Sequence, residues 1–420
     1  MKLDHVPVID YDKHPAFATE AAHQRPDMHA DVLIAEIEAD YDALNASTDA
    51  ADLKMARFEH DIAPKLIELN THLATRVRPE FADFLGKAMG FAQRFLRNEL
   101  IARDPKALDR NTPGALPEDL HAHLSEFRHR GCAEFKKPEL ARKIWTATWA
   151  ERSLLRLKAK KNPHSHCVMS LHICSPAYRM LKRMAEETGL VDFVSAYTGK
   201  EMEFWYVALD HAHPGQDWYK GCYADLGLAT PKTVYMHYDA DFDLIKALFY
   251  LRDVGPGDGP FRFIPGSHQW NRSNLTLAVQ NGFDEASREI FAGETRNRGY
   301  YRPRFMLADR RPDIVAMPPS LRGSTHFGDD VEDGSPLSRA LLDAEHSFIS
   351  PAGTFVVFDG SRGVHRGGQV EAGGARWAMQ IGFRVRKSTP KTRGAILKLK
   401  DRISYVKSLI WDYFRIKTAR

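Results

Sequence analysis

In the first part of the chain, apolar residues return every three or four positions, the spacing that places them on one face of a helix. The first such face consists of Leu33, Ile37, Tyr41 and Leu44. Asp31 precedes these residues and is predicted to cap the helix, because its carboxylate can accept hydrogen bonds from unpaired backbone N–H groups. We therefore predict a helical N-terminal region over residues 31–163, preceded by a flexible leader over residues 1–30.

Residues 164–390 show a different pattern, in which short β-rich segments are separated by turns that contain Gly and Pro. Segments of this kind predict an antiparallel barrel or sandwich. The polar stretch 271–348 interrupts them and is predicted to be an irregular insertion with a helical piece near Ser287–Phe291. The predicted fold class is thus α+β, with helices before and after one antiparallel β domain.

Residues 391–420 return to helical spacing. The apolar face consists of Ile396, Leu399, Ile403, Val406, Ile410 and Tyr413. Basic residues outnumber acidic ones in this stretch, so a basic amphipathic C-terminal helix is predicted. Two interpretations stay open: the helix packs on the N-terminal helices with its charges in solvent, or it contacts a membrane surface or an anionic partner.

Composition narrows the classes of function. Hydrophobic residues make up 43% of the 420 residues, enough for a substantial core, and the formal net charge of +4 is too small to indicate nucleic-acid binding. The four cysteines include no Cys-x-x-Cys pair, so neither a disulfide framework nor a zinc ribbon is expected. No apolar run is long enough for a membrane span. We predict a cytoplasmic protein that acts on a small molecule.

Candidate chemistry begins at His237 and Asp239, within the predicted strand Thr233–Asp241. Side chains two apart on a strand point to the same face, with their Cα atoms roughly 6.6 Å apart. An imidazole and a carboxylate so placed can reach one metal ion. A second imidazole would complete a two-histidine, one-carboxylate set, which is diagnostic of non-haem Fe(II) oxygenases because it leaves coordination positions open.

His365 is the strongest candidate for that second imidazole among the 19 histidines. A predicted strand, Thr354–Asp359, precedes it, and Gly363 and Gly367 flank it and let the backbone approach a site closely. Arg376 follows on the next predicted strand. An arginine on an inward face needs an anion, and a guanidinium can bind a carboxylate through two parallel hydrogen bonds. Its expected partner is a dicarboxylate cosubstrate that chelates iron at its other end.

A family resemblance rests on four pieces of the chain. They are His237-Tyr238-Asp239, the segment 259–268 with the sequence GPFRFIPGSH, His365 and Arg376. In this order they resemble the phytanoyl-CoA dioxygenase (PhyH-like) family of Fe(II)/2-oxoglutarate-dependent oxygenases, over roughly residues 200–386. The resemblance implies a double-stranded β-helix core, the jelly-roll or cupin-like fold. It also implies Fe(II) ligation by His237, Asp239 and His365, binding of 2-oxoglutarate by Arg376, and O2 as the second cosubstrate.

The chain departs from the family pattern at Tyr238, where many members have Gln, and at Gly367, where many have a hydroxyl residue. The second departure removes one hydrogen bond to 2-oxoglutarate. Lys246 is a candidate to compensate, because relatives place cosubstrate-contacting side chains on the corresponding strand. The alternative is a lysine at the barrel rim that reaches solvent, and the periodicity leaves both open. His268 belongs to the family's signature loop and is predicted to be structural.

The intact Asp239 favours hydroxylation, because related halogenases lack this carboxylate. We expect a dioxygenase that hydroxylates a small organic substrate and releases succinate and CO2. Arginines in and near the insertion either favour an anionic substrate or are solvated loop charges. They are Arg272, Arg302, Arg304, Arg322, Arg362 and Arg366. Two rival hypotheses are a catalytically inactive jelly-roll binding or scaffold protein, and a cupin-like metal enzyme that does not use 2-oxoglutarate.

Overall fold

Two compact units make up the chain. The helical unit comprises residues 1–110, 218–242 and 269–344, and the sheet unit comprises residues 111–217, 243–268 and 345–420. A computed structural model describes residues 3, 9, 13–15, 27–102, 116, 118–164, 167–215, 229–239, 243–270, 273–290, 311–386, 405, 407, 409, 410 and 413. None of the helices in these ranges is both long enough and apolar enough to cross a membrane.

Helices and antiparallel strands both contribute to the described part of the chain, which confirms the predicted α+β class. The helices are α1 (Met28–Ala46), α2 (Ala51–Arg57), α3 (Ala63–Ala74), α4 (Pro79–Ala102), α5 (Glu118–Arg130), α6 (Pro138–Ala147), α7 (Trp149–Lys161), α8 (Pro176–Glu187), α9 (Leu190–Thr198), α10 (Asn274–Ile290), α11 (Arg311–Val315) and α12 (Pro336–Ala344). The strands are β1 (Cys132–Lys136), β2 (Val168–Ser170), β3 (Met202–Ala212), β4 (Ile245–Tyr250), β5 (Phe261–Phe263), β6 (His346–Ser347), β7 (Thr354–Asp359), β8 (His365–Gly367) and β9 (Arg376–Val385). Short π and 3-10 turns lie at Phe58–Ile62, Ser267–Gln269, Pro319–Leu321 and Phe327–Asp330.

Two antiparallel sheets form the framework of the sheet unit. The larger has the strand order β1-β7-β4-β9-β3-β2, and the smaller has the order β6-β5-β8. Neighbouring strands are mostly distant in sequence: β4 pairs with both β7 and β9, and β5 pairs with β6 and β8. This arrangement brings residues separated by more than a hundred positions into register.

The two faces of the larger sheet have different neighbours. Ala247 and Phe249 of β4 belong to an apolar cluster with side chains of helices α5 to α9, which cover this outer face. Leu248 points the opposite way and belongs to a second cluster, which includes Phe261 and Phe263 of the smaller sheet. Because successive strand residues alternate in direction, the face of Leu248 is the inner face, toward the smaller sheet.

The helical unit has its own core, to which α1, α3, α4 and α10 contribute. The contact between α4 and α10 is very close: a Cβ added to Gly282 would lie 2.1 Å from the carbonyl oxygen of Ala88. Nearby, the rings of Phe84 and Phe283 stack with centroids 5.5 Å apart. The helical piece predicted near Ser287–Phe291 overlaps the end of α10, but the helix begins at Asn274 and completes this core. The prediction that the rest of 271–348 is irregular was wrong for residues 274–286 and for α11 and α12.

The first helix begins at Met28, so the last residues of the predicted leader are helical. Asp27 caps it in place of the predicted Asp31, since its Oδ1 accepts a hydrogen bond from the Ala30 N–H at 3.1 Å. His72 also contacts the Asp27 carboxylate, at 2.9 Å. The local pattern could not reveal this cap because a distant helix helps to fix it.

Other terminal predictions fall mostly outside the described residues. Within the predicted C-terminal helix, residues 405, 407, 409, 410 and 413 are helical. The Tyr405 hydroxyl donates a hydrogen bond to the Glu151 carboxylate on α7 at 2.7 Å. This contact agrees with the interpretation in which the tail packs on helices that precede the β segments, and the remaining tail residues stay a prediction.

The α4–α10 contact makes Gly282 a sensitive position. We expect Gly282→Ala to lower the free energy of unfolding by about 1–3 kcal/mol, because the added methyl group meets a backbone oxygen that cannot move alone. Gly86 on α4 is the matched control: a Cβ there meets nothing within 4 Å, so Gly86→Ala should stabilise by about 0.4–1 kcal/mol. Urea unfolding followed by circular dichroism measures both. Equal effects of the two variants would contradict this packing.

Candidate metal centre

The segment that contains His237 and Asp239 is not the predicted strand. Residues 232–235 form a turn, and the chain continues to Asp239 with one β-bridge at residue 237 but no strand. Tyr235 has a φ of 66°, in the left-handed region that non-glycine residues avoid at a cost of about 1–2 kcal/mol. The side chain of His237 therefore follows a strained turn and not the alternation of a strand.

The backbone of Gly328 and the side chain of Asp329 hold this turn. The Asp329 Oδ1 accepts a hydrogen bond from the Tyr235 N–H at 2.6 Å, and the Gly328 N–H donates to the Met236 carbonyl at 3.1 Å. In return, the Thr233 hydroxyl donates to the Gly328 carbonyl at 2.9 Å. These three bonds satisfy buried polar groups on both segments, so they can sustain the unfavourable backbone conformation of Tyr235.

The imidazole of His237 is oriented by the same turn. Its Nδ1 lies 2.9 Å from the Tyr235 carbonyl oxygen, which can only accept a hydrogen bond, so Nδ1 carries the proton and Nε2 keeps its lone pair. The His326 ring stacks on the His237 ring with a centroid distance of 4.6 Å and an interplanar angle of 6°. Both histidines are buried. His237 is thus held in the tautomer and orientation that a metal ligand requires.

His365 reaches the same tautomer in a different backbone setting. It begins β8, pairs with Phe263 in the smaller sheet, and is buried. Its Nδ1 lies 2.9 Å from the Gly363 carbonyl oxygen, which again leaves Nε2 as the ligand atom. The Phe358 ring packs beside the imidazole, with centroids 4.9 Å apart. The two histidines therefore share one local device, a hydrogen bond from Nδ1 to the carbonyl two residues earlier.

The IPGSH segment fixes the residue before His365. The Ile264 N–H donates to the Val364 carbonyl at 2.9 Å, and the Val364 N–H donates to the Ser267 hydroxyl oxygen at 2.8 Å. Gly363 is needed for this approach, because a Cβ there would lie 2.3 Å from the Phe263 ring. The segment thus positions one histidine without contributing a ligand.

The contacts of His268, at the end of that segment, agree with the predicted structural role. Its Nε2 lies 3.0 Å from the Arg128 carbonyl oxygen, and a Cβ on Gly131 would meet its ring. Burial lowers the pKa of His268, which favours the neutral ring. His211, for which the sequence offers no pattern, stacks on Trp377 at a centroid distance of 3.8 Å, and burial lowers its pKa to about 4.

His237, Asp239 and His365 each offer a ligand atom, and these atoms lie within 4.8 Å of one another. Among the described His, Cys, Asp and Glu side chains, this is the group of three or more that could hold a metal ion. Two neutral imidazoles and one carboxylate form a donor set that suits a non-haem Fe(II) ion.

Arg376 begins β9 and is 6% exposed. Its Nη2 lies 3.0 Å from Oδ2 of Asp210 on β3, and its Nη1 donates to the Gly259 carbonyl. Its Nε is buried without a hydrogen-bond partner in the part of the chain that the structure describes. A Cβ on Gly367 would lie 3.5 Å from Nη2, so the lack of a side chain there keeps the guanidinium accessible from β8. Arg376 thus retains a donor that a ligand can use.

Lys246 lies on the inner face of the larger sheet, which the periodicity alone left open. In the register of β4 it stands opposite Phe358 of β7 and Gly382 of β9, and it is half-buried. Strand alternation gives its side chain the same direction as that of Leu248, toward the smaller sheet. Its role toward a cosubstrate stays a prediction.

Two of the arginines that favoured an anionic substrate have structural partners, and a third, Arg362, is exposed. Arg322 donates to the carbonyl oxygens of Met317 and Val315, at 2.8 and 2.7 Å. Arg366 forms a buried ion pair with Glu345 at 2.6 and 2.7 Å. Outside the described residues lie Arg272, Arg302 and Arg304.

Three residues around the candidate centre were missed from the sequence: His326, Asp329 and Asp210. The first two lie in the stretch that was predicted to be irregular, and their neighbours in sequence do not point to His237. The one available signal was the run Ser324–Asp330, which contains a histidine and two acidic residues. Asp210 lies on β3, but no sequence pattern links it to Arg376.

No protein-family model matches the chain, and no curated protein matches it either. Solved structures give matches of low identity. AviO1 from Streptomyces viridochromogenes Tue57 is 16% identical, with 66% of this chain and 99% of that chain covered and a TM-score of 0.35. SnoK, a non-heme alpha ketoglutarate dependent carbocyclase from nogalamycin biosynthesis, is 14% identical, with 69% and 93% covered and a TM-score of 0.35.

EctD from S. alaskensis, solved with 2-oxoglutarate and 5-hydroxyectoine, is also 14% identical. The match covers 63% of this chain and 75% of that chain, with a TM-score of 0.35. TM-scores below 0.5 give no basis for transferring a reaction or a substrate from these proteins. The function of this chain must be argued from its own residues.

The contacts at Tyr235 predict that Asp329 positions a metal ligand. We expect Asp329→Ala to weaken Co(II) binding by about 10–100-fold, because the turn that orients His237 loses the acceptor of its strained N–H group. Asp333 is the matched control: it is exposed and accepts a hydrogen bond from the backbone N–H of Lys232, at the start of the turn, at 3.4 Å. Titration calorimetry measures both affinities, and equal losses in the two variants would rule out this positioning role.

Proposed function

We propose that the chain is an Fe(II)/2-oxoglutarate-dependent dioxygenase. The observation that carries this proposal is the convergence of the ligand atoms of His237, Asp239 and His365 within 4.8 Å. These three residues would hold Fe(II) through Nε2 of each imidazole and a carboxylate oxygen. A set of only three protein ligands would leave room for a cosubstrate and O2.

Arg376 is the proposed anchor for the distal carboxylate of 2-oxoglutarate. A buried guanidinium with an unpartnered Nε–H is costly unless an acceptor is supplied, and a carboxylate is the acceptor that fits its planar donors. Asp210 holds the guanidinium from the other side through Nη2. Lys246, on the same inner face, is proposed to add a second positive charge for the cosubstrate. Its ammonium would replace the hydrogen bond that Gly367 cannot make.

The type of β fold, the family and the type of reaction are part of the same proposal. The double-stranded β-helix is supported by two antiparallel sheets that share an apolar inner cluster, and PhyH-like membership by the contacts that tie the IPGSH segment to Val364. Hydroxylation is favoured by Asp239, whose carboxylate occupies the position at which a halide would bind. The domain boundaries predicted from sequence, with a β domain over 164–390, are retained as proposals.

The contributions of the chain to catalysis are then binding, orientation and proton placement. When bound, Fe(II) and 2-oxoglutarate supply the activation of O2, with succinate and CO2 as products. The Tyr235 and Gly363 carbonyls accept the Nδ1–H of each imidazole, so Nε2 is the atom that would face the metal. Burial of His237, His365 and Arg376 excludes water from the groups that contact metal and cosubstrate.

Reconstitution with Fe(II) and 2-oxoglutarate tests the proposal. The protein should bind one Fe(II) per chain and release succinate from 2-oxoglutarate. His237→Ala, Asp239→Ala and His365→Ala should each abolish succinate release and weaken Fe(II) binding, because two ligands hold Fe(II) far less firmly than three. His346→Ala is the matched control, since this exposed histidine of β6 lies outside the ligand group. Failure of the wild-type protein to bind either Fe(II) or 2-oxoglutarate would refute the proposal.

Arg376 gives a second prediction. Arg376→Lys should raise the KM for 2-oxoglutarate on the order of 100-fold, because an ammonium cannot reproduce the charged, forked hydrogen bonds. Arg384→Lys on the same strand is the control, as Arg384 pairs with Glu203 at a half-exposed position. Activity that survives Arg376→Ala would favour the cupin-like enzyme that does not use 2-oxoglutarate. Binding of iron and 2-oxoglutarate without turnover of any substrate would favour the scaffold protein.

A further inference from the structure

Helix α10 is buried on two chemically different faces. Val279, Phe283 and Ala286 belong to the core of the helical unit. A second face carries polar side chains that are nonetheless buried. They are Gln280 (6% exposed), Asn281 (4%), Asp284 (0%) and Ser287 (1%). Positions 280, 284 and 287 lie on one side of a helix, and Asn281 neighbours Asp284 three residues on. A helix with this much buried polar surface requires partners for it.

Two members of this polar face have partners within the helical unit. The Tyr238 hydroxyl donates to Oε1 of Gln280, and the Thr325 hydroxyl donates to Oδ2 of Asp284. Tyr238 directly follows His237 in the chain, and Thr325 directly precedes His326, whose ring stacks on His237. Two hydrogen bonds therefore link the polar face of α10 to Tyr238, which follows a candidate metal ligand, and to Thr325, which precedes the histidine that stacks on this ligand.

The other two members have no such partners. Both amide atoms of Asn281 and the hydroxyl of Ser287 are buried without a hydrogen bond in the described part of the chain. Unsatisfied buried polar groups are rare in folded proteins because each opposes folding. Their concentration on one helix face, next to satisfied polar groups, indicates a binding surface that a ligand completes.

We propose that the polar face of α10 binds the substrate, and that the substrate is a neutral compound with hydroxyl or amide groups. The identification of this ligand as the substrate rests on the proposed function. Asn281 and Ser287 each offer donors and acceptors without charge, so they match groups that both donate and accept. Asp284 adds an acidic group to the face, which disfavours an anion. The class therefore differs from the anionic substrate that the arginines suggested.

Thermal unfolding of the metal-free full-length protein tests the binding surface without knowledge of the ligand. Asn281→Leu and Ser287→Ala remove polar groups that have no protein partner, so the midpoint should stay unchanged or rise by about 1–3 °C. Gln280→Leu is the comparator, because it leaves the buried Tyr238 hydroxyl without its acceptor and should lower the midpoint. A fall of the midpoint in Asn281→Leu and Ser287→Ala, comparable to that in Gln280→Leu, would assign both residues a structural role and overturn the proposal.

The substrate class is tested with defined probes. Methyl glycosides, inositols and N-acetylated amino sugars form the neutral panel, and alkanoates of the same carbon numbers form the anionic one. At least one neutral compound should raise the unfolding midpoint of the wild-type protein, and Asn281→Leu should bind it about tenfold more weakly. A response to alkanoates alone, or to no neutral compound, would overturn the class. Because no metal or 2-oxoglutarate is present, these outcomes are independent of the test of the proposed dioxygenase function.

Discussion

One hydrogen bond recurs at both candidate histidine ligands and sets what the centre can do. In each case Nδ1 faces the carbonyl oxygen of the residue two positions earlier, Tyr235 for His237 and Gly363 for His365. The backbone thereby fixes the tautomer, and the lone pair of Nε2 is left for the metal. The device needs no additional side chain, so it can operate in a turn as well as at the start of a strand.

The two settings make different demands on the chain. At Gly363 the requirement is space, because the backbone passes against the Phe263 ring where a Cβ would lie 2.3 Å away. At Tyr235 the requirement is conformation, because a tyrosine occupies left-handed φ and needs outside support. Asp329 supplies this support through a hydrogen bond to the Tyr235 N–H. The first requirement is met by a glycine in the local sequence, whereas the second is met by a residue almost a hundred positions away.

This difference explains which parts of the fold and of the candidate site could be predicted from sequence patterns. Strands such as Thr354–Asp359 and the α+β class follow from local periodicity, and the candidate ligands His237, Asp239 and His365 follow from their order and flanks. The predicted strand Thr233–Asp241 was wrong over its described residues, 233–239, because Asp329 and Gly328 hold a turn at residues 232–235. The part of helix α10 that precedes Ser287 was missed because both of its faces are buried, so apolar and polar residues do not alternate with the period of a surface helix. Asp210 contacts Arg376 and His326 stacks on His237, and no spacing along the chain predicts either contact.

Charge also bears on the ligands of the proposed sites. Asp210 cancels the charge of Arg376, so this pair is neutral overall even though its guanidinium still donates hydrogen bonds. On α10, Asp284 is a buried acidic residue beside the uncharged Asn281 and Ser287. An anion bound at this face would bring a second negative charge next to the Asp284 carboxylate, which is costly where water is excluded. A neutral ligand with hydroxyl or amide groups can hydrogen-bond to Asn281 and Ser287 without that cost.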